Sequence, residues 1–242
     1  MQLPRVYVDA PLVPGETLAL PEGAGRHLNH VLRLQAGARL ALFNGDGRDY
    51  QAHLAGLGRQ LTLAVEAPGA TEPPPPFEIR LALGVSKGER MDYAIQKSVE
   101  LGVSRISPLF TERSVVQLAG ERLERRMAHW HGVLIGACEQ SGRRRLPQLD
   151  PATHLEDWIT AAPAGGLVLD PRAAQVLVAL PPPETQITLL VGPEGGLSPR
   201  EHRQALGHGL LPVRLGPRVL RAETAPLAAI AAIQALWGDF TL

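Results

Sequence analysis

Cysteine and aromatic side chains are scarce in this sequence of 242 residues, which contains a single cysteine, Cys138, and 4% aromatic residues. One cysteine excludes an internal disulfide and is typical of proteins in a reducing compartment. Uninterrupted apolar runs fall short of the roughly 18 residues that a membrane span needs, and Arg5 and Asp9 stand too early for the apolar core of a secretory signal peptide. We therefore expect a soluble, cytoplasmic protein without a membrane partner, in which Cys138 is a core residue.

Net charge is also lacking, because 24 Lys and Arg balance 24 Asp and Glu. Such a balance predicts no general attraction to nucleic acid or to membranes. The phosphate-binding patterns G-x-x-x-x-G-K-S/T and G-x-G-x-x-G are missing, which disfavours a nucleoside triphosphate or NAD site. His129 and His131 lie two residues apart in a helical stretch and point to different faces, so we expect no metal there.

A proline-rich segment separates two patterns of hydrophobicity. Prolines occupy positions 73 to 76 and favour a stiff, extended spacer. Short alternating runs separated by turn residues precede it, with one helical stretch at 25–34. We predict a small β-barrel-like domain at 1–70, a linker at 71–76 and a second domain at 77–242. The strands predicted in the first domain cover 5–8, 17–20, 39–43, 50–54 and 60–65.

Strands and helices alternate after the linker, which is typical of an α/β domain with a mostly parallel sheet and helices on both faces. The last helix, at 225–237, is apolar around most of its circumference, so we expect it to be buried against the sheet or a second subunit. The other strands are predicted at 77–85, 105–110, 167–169, 187–191 and 212–215, and the other helices at 90–101 and 121–140.

Two glycine- and proline-containing segments near the C-terminus follow predicted strands. The first, Val-Gly-Pro-Glu-Gly-Gly-Leu-Ser-Pro at 191–199, ends in a helix start, where Ser198 is a good N-cap and Glu201 completes a capping box. A loop between the carboxyl end of a strand and a helix start is the usual ligand crevice of an α/β sheet. We interpret residues 192–197 as a ligand loop.

The second segment, at 215–225, places Arg221 and Glu223 before a helix that Thr224 could cap. From spacing alone, an ordinary capped helix with an exposed Arg–Glu pair explains it. Further polar clusters stand at 87–90 and 139–145. The arginine run at 143–145 suits a solvated loop and a phosphate contact equally.

These segments together resemble one family, the RsmE-type methyltransferases of small-subunit ribosomal RNA, which belong to the SPOUT class. Lys-Gly-Glu-Arg-Met-Asp at 87–92 and Glu-Gln-Ser-Gly-Arg at 139–143 carry the resemblance beside the two C-terminal segments, and 5–7 and 27–33 match the family's N-terminal domain. The resemblance implies a PUA-like RNA-binding β-barrel, an α/β domain with a C-terminal trefoil knot, and a homodimer. It also implies transfer of a methyl group from S-adenosyl-L-methionine to N3 of a uridine in 16S rRNA, within the small ribosomal subunit and without a metal.

The resemblance also implies roles for particular residues. Arg221 is the candidate for stabilising a uridine anion, with Glu223 as base or as the group that orients Arg221. The candidates for cofactor binding are Leu169, Val191, Gly192, Pro193, Glu194, Gly196, Leu215, Gly216, Leu220, Thr224 and Ala225. The candidates for RNA binding are Arg5, His27, Arg33, Lys87, Arg90, Glu139, Gln140, Ser141 and Arg143.

Two alternatives stay open at this point. A SPOUT enzyme of this kind could act on another RNA or on a ribose 2′-oxygen. A non-catalytic RNA-binding dimer would use the same surfaces without a methyl donor.

Overall fold

The computed structural model describes residues 3–20, 35–57, 61–161 and 165–241. Its internal contacts divide the chain into two compact units, one of Met1–Pro74 with Cys138–Leu146 and one of Pro75–Ala137 with Pro147–Leu242. The helix predicted at 25–34 lies outside the described residues. Over the part of the chain that is described, helices long and apolar enough to cross a membrane are absent.

The first unit is built on a five-stranded sheet in the order β1-β3-β4-β5-β2, in which β1 and β3 are parallel and the other pairs antiparallel. Alternate residues such as Leu40 and Leu42 are 0% exposed, as expected of strands with one face on a core. The strands are β1 (Arg5–Tyr7), β2 (Thr17–Ala19), β3 (Arg39–Phe43), β4 (Arg48–Leu57) and β5 (Leu61–Thr71).

Strand β5 continues six residues beyond the predicted end at 65 and includes Pro68. The pairing register between β4 and β5 shifts on both sides of the Tyr50–Pro68 pair. A proline is tolerated in a sheet where the ladder of hydrogen bonds is already interrupted. The sequence prediction ended the strand too early because it treated this proline as a breaker.

The second unit is a seven-stranded sheet in the order β12-β10-β11-β6-β7-β8, with β9 also beside β7. Its pairings are parallel, which confirms the predicted α/β class. Leu81, Ala82 and Leu83 of β6 are each 1% exposed, so both faces of the sheet are covered. The strands are β6 (Glu78–Gly84), β7 (Arg105–Phe110), β8 (Gln148–Leu149), β9 (Thr153–His154), β10 (Leu167–Leu169), β11 (Gln186–Val191) and β12 (Leu211–Val213).

Five helices of the described chain connect these strands or follow them. They are α1 (Glu89–Glu100), α2 (Gly120–Ser141), α3 (Leu155–Ala161), α4 (Pro199–Gly207) and α5 (Thr224–Trp237). The longer predicted helices are confirmed, whereas α3 is too short for a helical period to be visible in the sequence.

Helix α5 is buried along one face only. Ala229, Ile230 and Ile233 are 0% exposed, while Leu236 is 43% exposed. Phe240, in the short 3₁₀ helix Asp239–Thr241, is 53% exposed. The apolar circumference read from the sequence is therefore only partly covered within one chain.

Candidate functional site

The carboxyl ends of β10, β11 and β12 open onto a cavity of about 950 Å³ in the second unit. Its walls are residues 169–172, 191–199, 213–215 and 218–223 with Ala225, and Arg90, Arg113, His202 and Arg203 also contribute. This is the crevice where open parallel sheets bind ligands, and the volume is at the upper end of the range for small-molecule sites.

The loop at 192–197 is anchored by the capping box predicted at the start of α4. Glu201 N donates to Ser198 Oγ at 3.2 Å, and Ser198 N donates to Glu201 Oε2 at 2.8 Å. The other carboxylate oxygen of Glu201 accepts from Glu112 N at 2.8 Å, and Glu201 is 2% exposed. Glu201 therefore also ties the loop to the turn that follows β7.

Glycines allow the loop to fold back on itself. Gly196 has φ of 67°, a left-handed conformation that disfavours side chains. A β-carbon at Gly192 would lie 3.0 Å from the carbonyl carbon of Gly196 and 3.0 Å from Leu197 N. Because no side chain fits there, the backbone itself forms this wall of the cavity, as a cradle for a small ligand requires.

Glu194 is held at the cavity by two donors from the start of α1. Lys87 N and Arg90 Nη1 each donate to Glu194 Oε1 at 3.1 Å. Burial raises the pKa of Glu194, but hydrogen bonds from its own backbone N–H and from Lys87 N, together with the Arg90 guanidinium, outweigh it, so the pKa lies below its ordinary value. Arg90, predicted to contact RNA, thus lies on the cavity wall.

Arg221 and Glu223 are brought together at the same cavity. Arg221 Nη1 lies 3.9 Å from Glu223 Oε1, and Arg90 Nε lies 4.0 Å from the same oxygen. The side chain of Arg221 is 81% exposed and that of Glu223 is 13% exposed. Glu223 Oε2 is buried and has no hydrogen-bond partner among the residues described.

The predicted cap on the last helix is wrong. Glu223 is the N-cap residue of α5, no side chain caps it, and Thr224 is the first helical residue. Thr224 N and Ala225 N instead donate to the carbonyl oxygen of Arg221, each at 2.9 Å. The backbone of Arg221 is therefore fixed at the helix start while its side chain is free to extend.

Most of the predicted cofactor residues line the cavity. Gly216 and Thr224 do not. Those that do are Leu169, Val191, Gly192, Pro193, Glu194, Gly196, Leu215, Leu220 and Ala225.

Sequence reasoning missed three residues at this site. Asp170 Oδ2 lies 3.2 Å from His202 Nε2, and Arg113 Nη1 donates to the carbonyl oxygen of Gly195 at 3.0 Å. Burial raises the pKa of Asp170, but hydrogen bonds from the backbone and side chain of Arg172 outweigh it and lower the pKa overall. Asp170 directly follows a strand, and Arg113 stands three residues beyond one. The rule that identified Gly192 would have identified Asp170 as well.

The predicted RNA contacts fall in different surroundings. His27 and Arg33 lie outside the described residues. Lys87, Gln140 and Ser141 are exposed. Glu139 Oε1 accepts from Tyr7 N at 3.0 Å, and Arg143 Nε lies 3.9 Å from Glu72 Oε1 with its side chain 15% exposed.

Arg5 is enclosed by the first unit, and its side chain is 6% exposed. Its guanidinium donates to Cys138 O at 2.6 Å and to Asp49 Oδ1 at 2.9 Å, and it lies 4.6 Å from the centre of the Phe43 ring. These contacts engage both terminal nitrogens of the guanidinium inside the protein, so the structure does not favour the phosphate contact predicted for Arg5.

Cys138 is 0% exposed, which confirms the prediction of a core residue. Burial is the largest cause that raises the pKa of its thiol to about 11. The thiol is therefore protonated at neutral pH and is a poor nucleophile. Among the described residues, no group of three or more His, Cys, Asp or Glu could hold a metal ion.

Comparison with known proteins matches two parts of the chain to two known domain families. A model of an RNA methyltransferase domain matches residues 73–234, and a model of an RNA methyltransferase PUA domain matches residues 20–65. The chain is 30% identical over 243 residues to the ribosomal RNA small subunit methyltransferase E of Buchnera aphidicola subsp. Schizaphis graminum, with 99% of each chain covered. The chain belongs to the ribosomal RNA small subunit methyltransferase E family. The resemblance inferred from the sequence motifs is thereby confirmed.

Solved structures agree with this family and with the predicted fold class. A putative methyltransferase from Legionella pneumophila, in complex with bound SAM, has a TM-score of 0.95 and 38% identity, covering 99% of this chain and 100% of the other. The family member from Neisseria gonorrhoeae bound to S-adenosyl methionine has a TM-score of 0.91 and 40% identity, with the same coverage. A trefoil knot in the second domain stays a prediction.

Proposed function

We propose that this protein transfers the methyl group of S-adenosyl-L-methionine to N3 of a uridine in 16S rRNA of the small ribosomal subunit. The observation that carries the proposal is the backbone cradle at 192–197, which shares a cavity with the Arg221–Glu223 pair. Family membership supports both the reaction class and the RNA substrate. The roles of the individual site residues are part of the proposal.

The cavity fits this cofactor because glycine-containing backbone and apolar side chains form part of its walls. When bound, S-adenosyl-L-methionine supplies an electrophilic methyl group on a sulfonium. The backbone at Gly192, Gly196 and Leu220 would enclose it, with Leu169 and Leu215 providing apolar surface. Holding the reacting groups in line supplies much of the acceleration in such transfers.

Uridine N3 carries a weakly acidic proton, and its loss spreads negative charge onto O2 and O4. The site therefore needs a proton acceptor and a cation that faces those oxygens. Arg221 reaches from the cavity wall into solvent and would stabilise the anion. Glu223 orients Arg221 through Oε1, and its unpartnered Oε2 would accept the proton.

N3 takes part in base pairing, so the target uridine must be unpaired or swung out of its helix. The PUA-like first domain would hold the surrounding RNA. The partly open apolar face of α5, with Leu236 at 43% exposure, supports a homodimer in which a second copy covers it. We place the reaction in the cytoplasm, with residues 215–225 threaded through the predicted knot.

Mass mapping of 16S rRNA tests the reaction and the target together. Cells without this protein should lack one 3-methyluridine, which the wild-type chain restores and the Arg221→Ala variant does not. Unchanged methylation in the deleted strain, or the loss of a methyl group from a ribose, would contradict the proposed reaction.

A further inference from the structure

The cavity carries an excess of positive charge. Seven arginines and three carboxylates line it, a formal excess of four positive charges when His202 is neutral. The proposed cofactor is itself positive overall, since its sulfonium and ammonium groups outnumber its one carboxylate. The cofactor therefore does not account for this charge.

Five of the seven arginines have partners within the protein. Arg90, Arg172 and Arg221 lie within 4.0 Å of the cavity carboxylates. Arg113 and Arg214 donate to backbone carbonyl oxygens.

Arg203 and Arg218 differ from the other five. Both are exposed, and in the described chain neither forms an ion pair or a hydrogen bond. Guanidinium groups without a partner inside the protein, on the lining of a cavity with excess positive charge, are suited to bind an anion such as a phosphate.

The positions of these two arginines relate them to the reacting groups. Arg203 lies in α4, next to His202, whose ring nitrogen is 3.2 Å from Asp170 at the base of the cavity. Arg218 precedes Arg221 by three residues on the segment that carries the proposed anion-stabilising guanidinium. One arginine thus belongs to the α4 wall and the other to the wall that presents Arg221.

We infer that Arg203 and Arg218 form a phosphate-binding subsite at this cavity, which takes the backbone phosphates flanking the target nucleotide. The inference rests on the proposed function, because it assigns the anion to the RNA strand that enters the methyl-transfer site. Phosphate contacts position a nucleic acid without reading its sequence. Recognition of the sequence is then the task of other parts of the protein.

The test is the salt dependence of RNA binding by the full-length chain. A labelled single-stranded oligouridine RNA is titrated with Arg203→Gln, Arg218→Gln and the double variant at several KCl concentrations. Each lost contact should reduce the slope of log K against log salt by about 0.7, as for single strands. The matched control is Arg125→Gln, an exposed arginine of α2 outside the cavity, which should leave the slope unchanged.

Calorimetric titration with S-adenosyl-L-methionine separates this inference from the proposed function. We expect the double variant to bind the cofactor within about twofold of wild type. The subsite would be overturned if the double variant had the same salt slope as wild type, or if Arg125→Gln reduced the slope equally. Absence of RNA binding by the wild-type chain would also overturn it. Weaker cofactor binding with a normal slope would also overturn it, because the arginines would then serve the cofactor carboxylate. Failure of the wild-type chain to bind the cofactor would contradict the proposed function, while the salt slopes would still decide the subsite.

Discussion

A β-carbon at Gly84 would lie 2.5 Å from both the ring Cδ and the backbone N of Pro193. Gly84 ends β6, and Pro193 belongs to the cradle that follows the neighbouring strand β11. The loop therefore packs directly on the backbone of the adjacent strand, and its height above the sheet depends on the absence of a side chain at position 84.

Gly84→Ala should displace the cradle, because the atoms in its way are backbone and a rigid ring. We expect cofactor affinity to fall at least tenfold and the free energy of unfolding to fall by about 1–3 kcal/mol, as for other overpacked sites. Calorimetric titration and denaturant unfolding measure the two effects. The control is Gly132→Ala in α2, where a β-carbon meets nothing within 4 Å, and which should be neutral or stabilising by about 0.5–1 kcal/mol. Equal cofactor affinity in the two variants would contradict this account of the cradle.

Arg221→Ala should slow methyl transfer by a factor of about 10²–10³, the range found when one donor to a developing anion is removed. Because the side chain is 81% exposed, the fold and the cofactor affinity should change little. Single-turnover transfer to small ribosomal subunits measures the rate, and Arg221→Lys should recover part of it by restoring the charge. Near-normal turnover in Arg221→Ala would remove this residue from the mechanism.

Glu223→Gln distinguishes a proton acceptor from a residue that only orients Arg221. The amide keeps the shape of the carboxylate and loses its basicity. If Oε2 accepts the N3 proton, transfer by the variant should be slow at neutral pH and rise with pH, as free uridine loses that proton to solvent. The pH profile of single-turnover rates measures this, and a uniformly lowered profile parallel to that of wild type would leave Glu223 with the orienting role alone.

Glu194→Gln should alter stability against acid. The folded protein lowers the pKa of Glu194 below its ordinary value of 4.5, so its contribution is present above that pH and is lost as pH falls through the folded-state pKa. At pH 7 the free energy of unfolding of the variant should be about 1 kcal/mol lower than that of wild type, because a partly exposed charged hydrogen bond is lost. The free energy of unfolding is measured for variant and wild type between pH 3 and 7, and the two values should converge as the pH falls. A difference that stays constant over this range would show that the ionised Glu194 carboxylate is not its cause.

Arg5→Ala tests whether Arg5 stabilises the first unit or contacts RNA. Its removal leaves the Asp49 carboxylate, 13% exposed, with Arg144 as its remaining ion-pair partner. We expect a loss of about 3 kcal/mol in unfolding free energy, as for other broken buried pairs, and little change for the exposed Arg39→Ala control. Normal stability together with a flatter salt dependence of RNA binding would instead restore the predicted phosphate contact.

The sequence predicted those parts of the structure that depend on local chemistry. Ser198 and Glu201 form the predicted capping box between neighbouring residues, and the strand at 105–110 has the predicted bounds. The ligand crevice beside Gly192 was also predicted from the sequence, because the carboxyl ends of parallel strands meet at one edge of the sheet.

Contacts between distant segments could not be predicted in this way. The use of Cys138–Leu146 to complete the first unit depends on pairs such as Arg144 with Asp49, 95 positions apart. Nothing in the sequence indicated that Arg90 would form ion pairs with both Glu194 and Glu223. The roles of individual arginines were the least predictable feature, because an exposed and a buried arginine look alike in a sequence.

A crystal structure of the full-length chain grown with S-adenosyl-L-methionine tests the central claim most directly. We predict electron density for the methyl donor inside the cavity, against the backbone of Gly192 and Gly196, with its sulfonium facing the side of Arg221 and Glu223. Density for the donor elsewhere on the surface, or a cavity closed by protein side chains under saturating donor, would contradict the account.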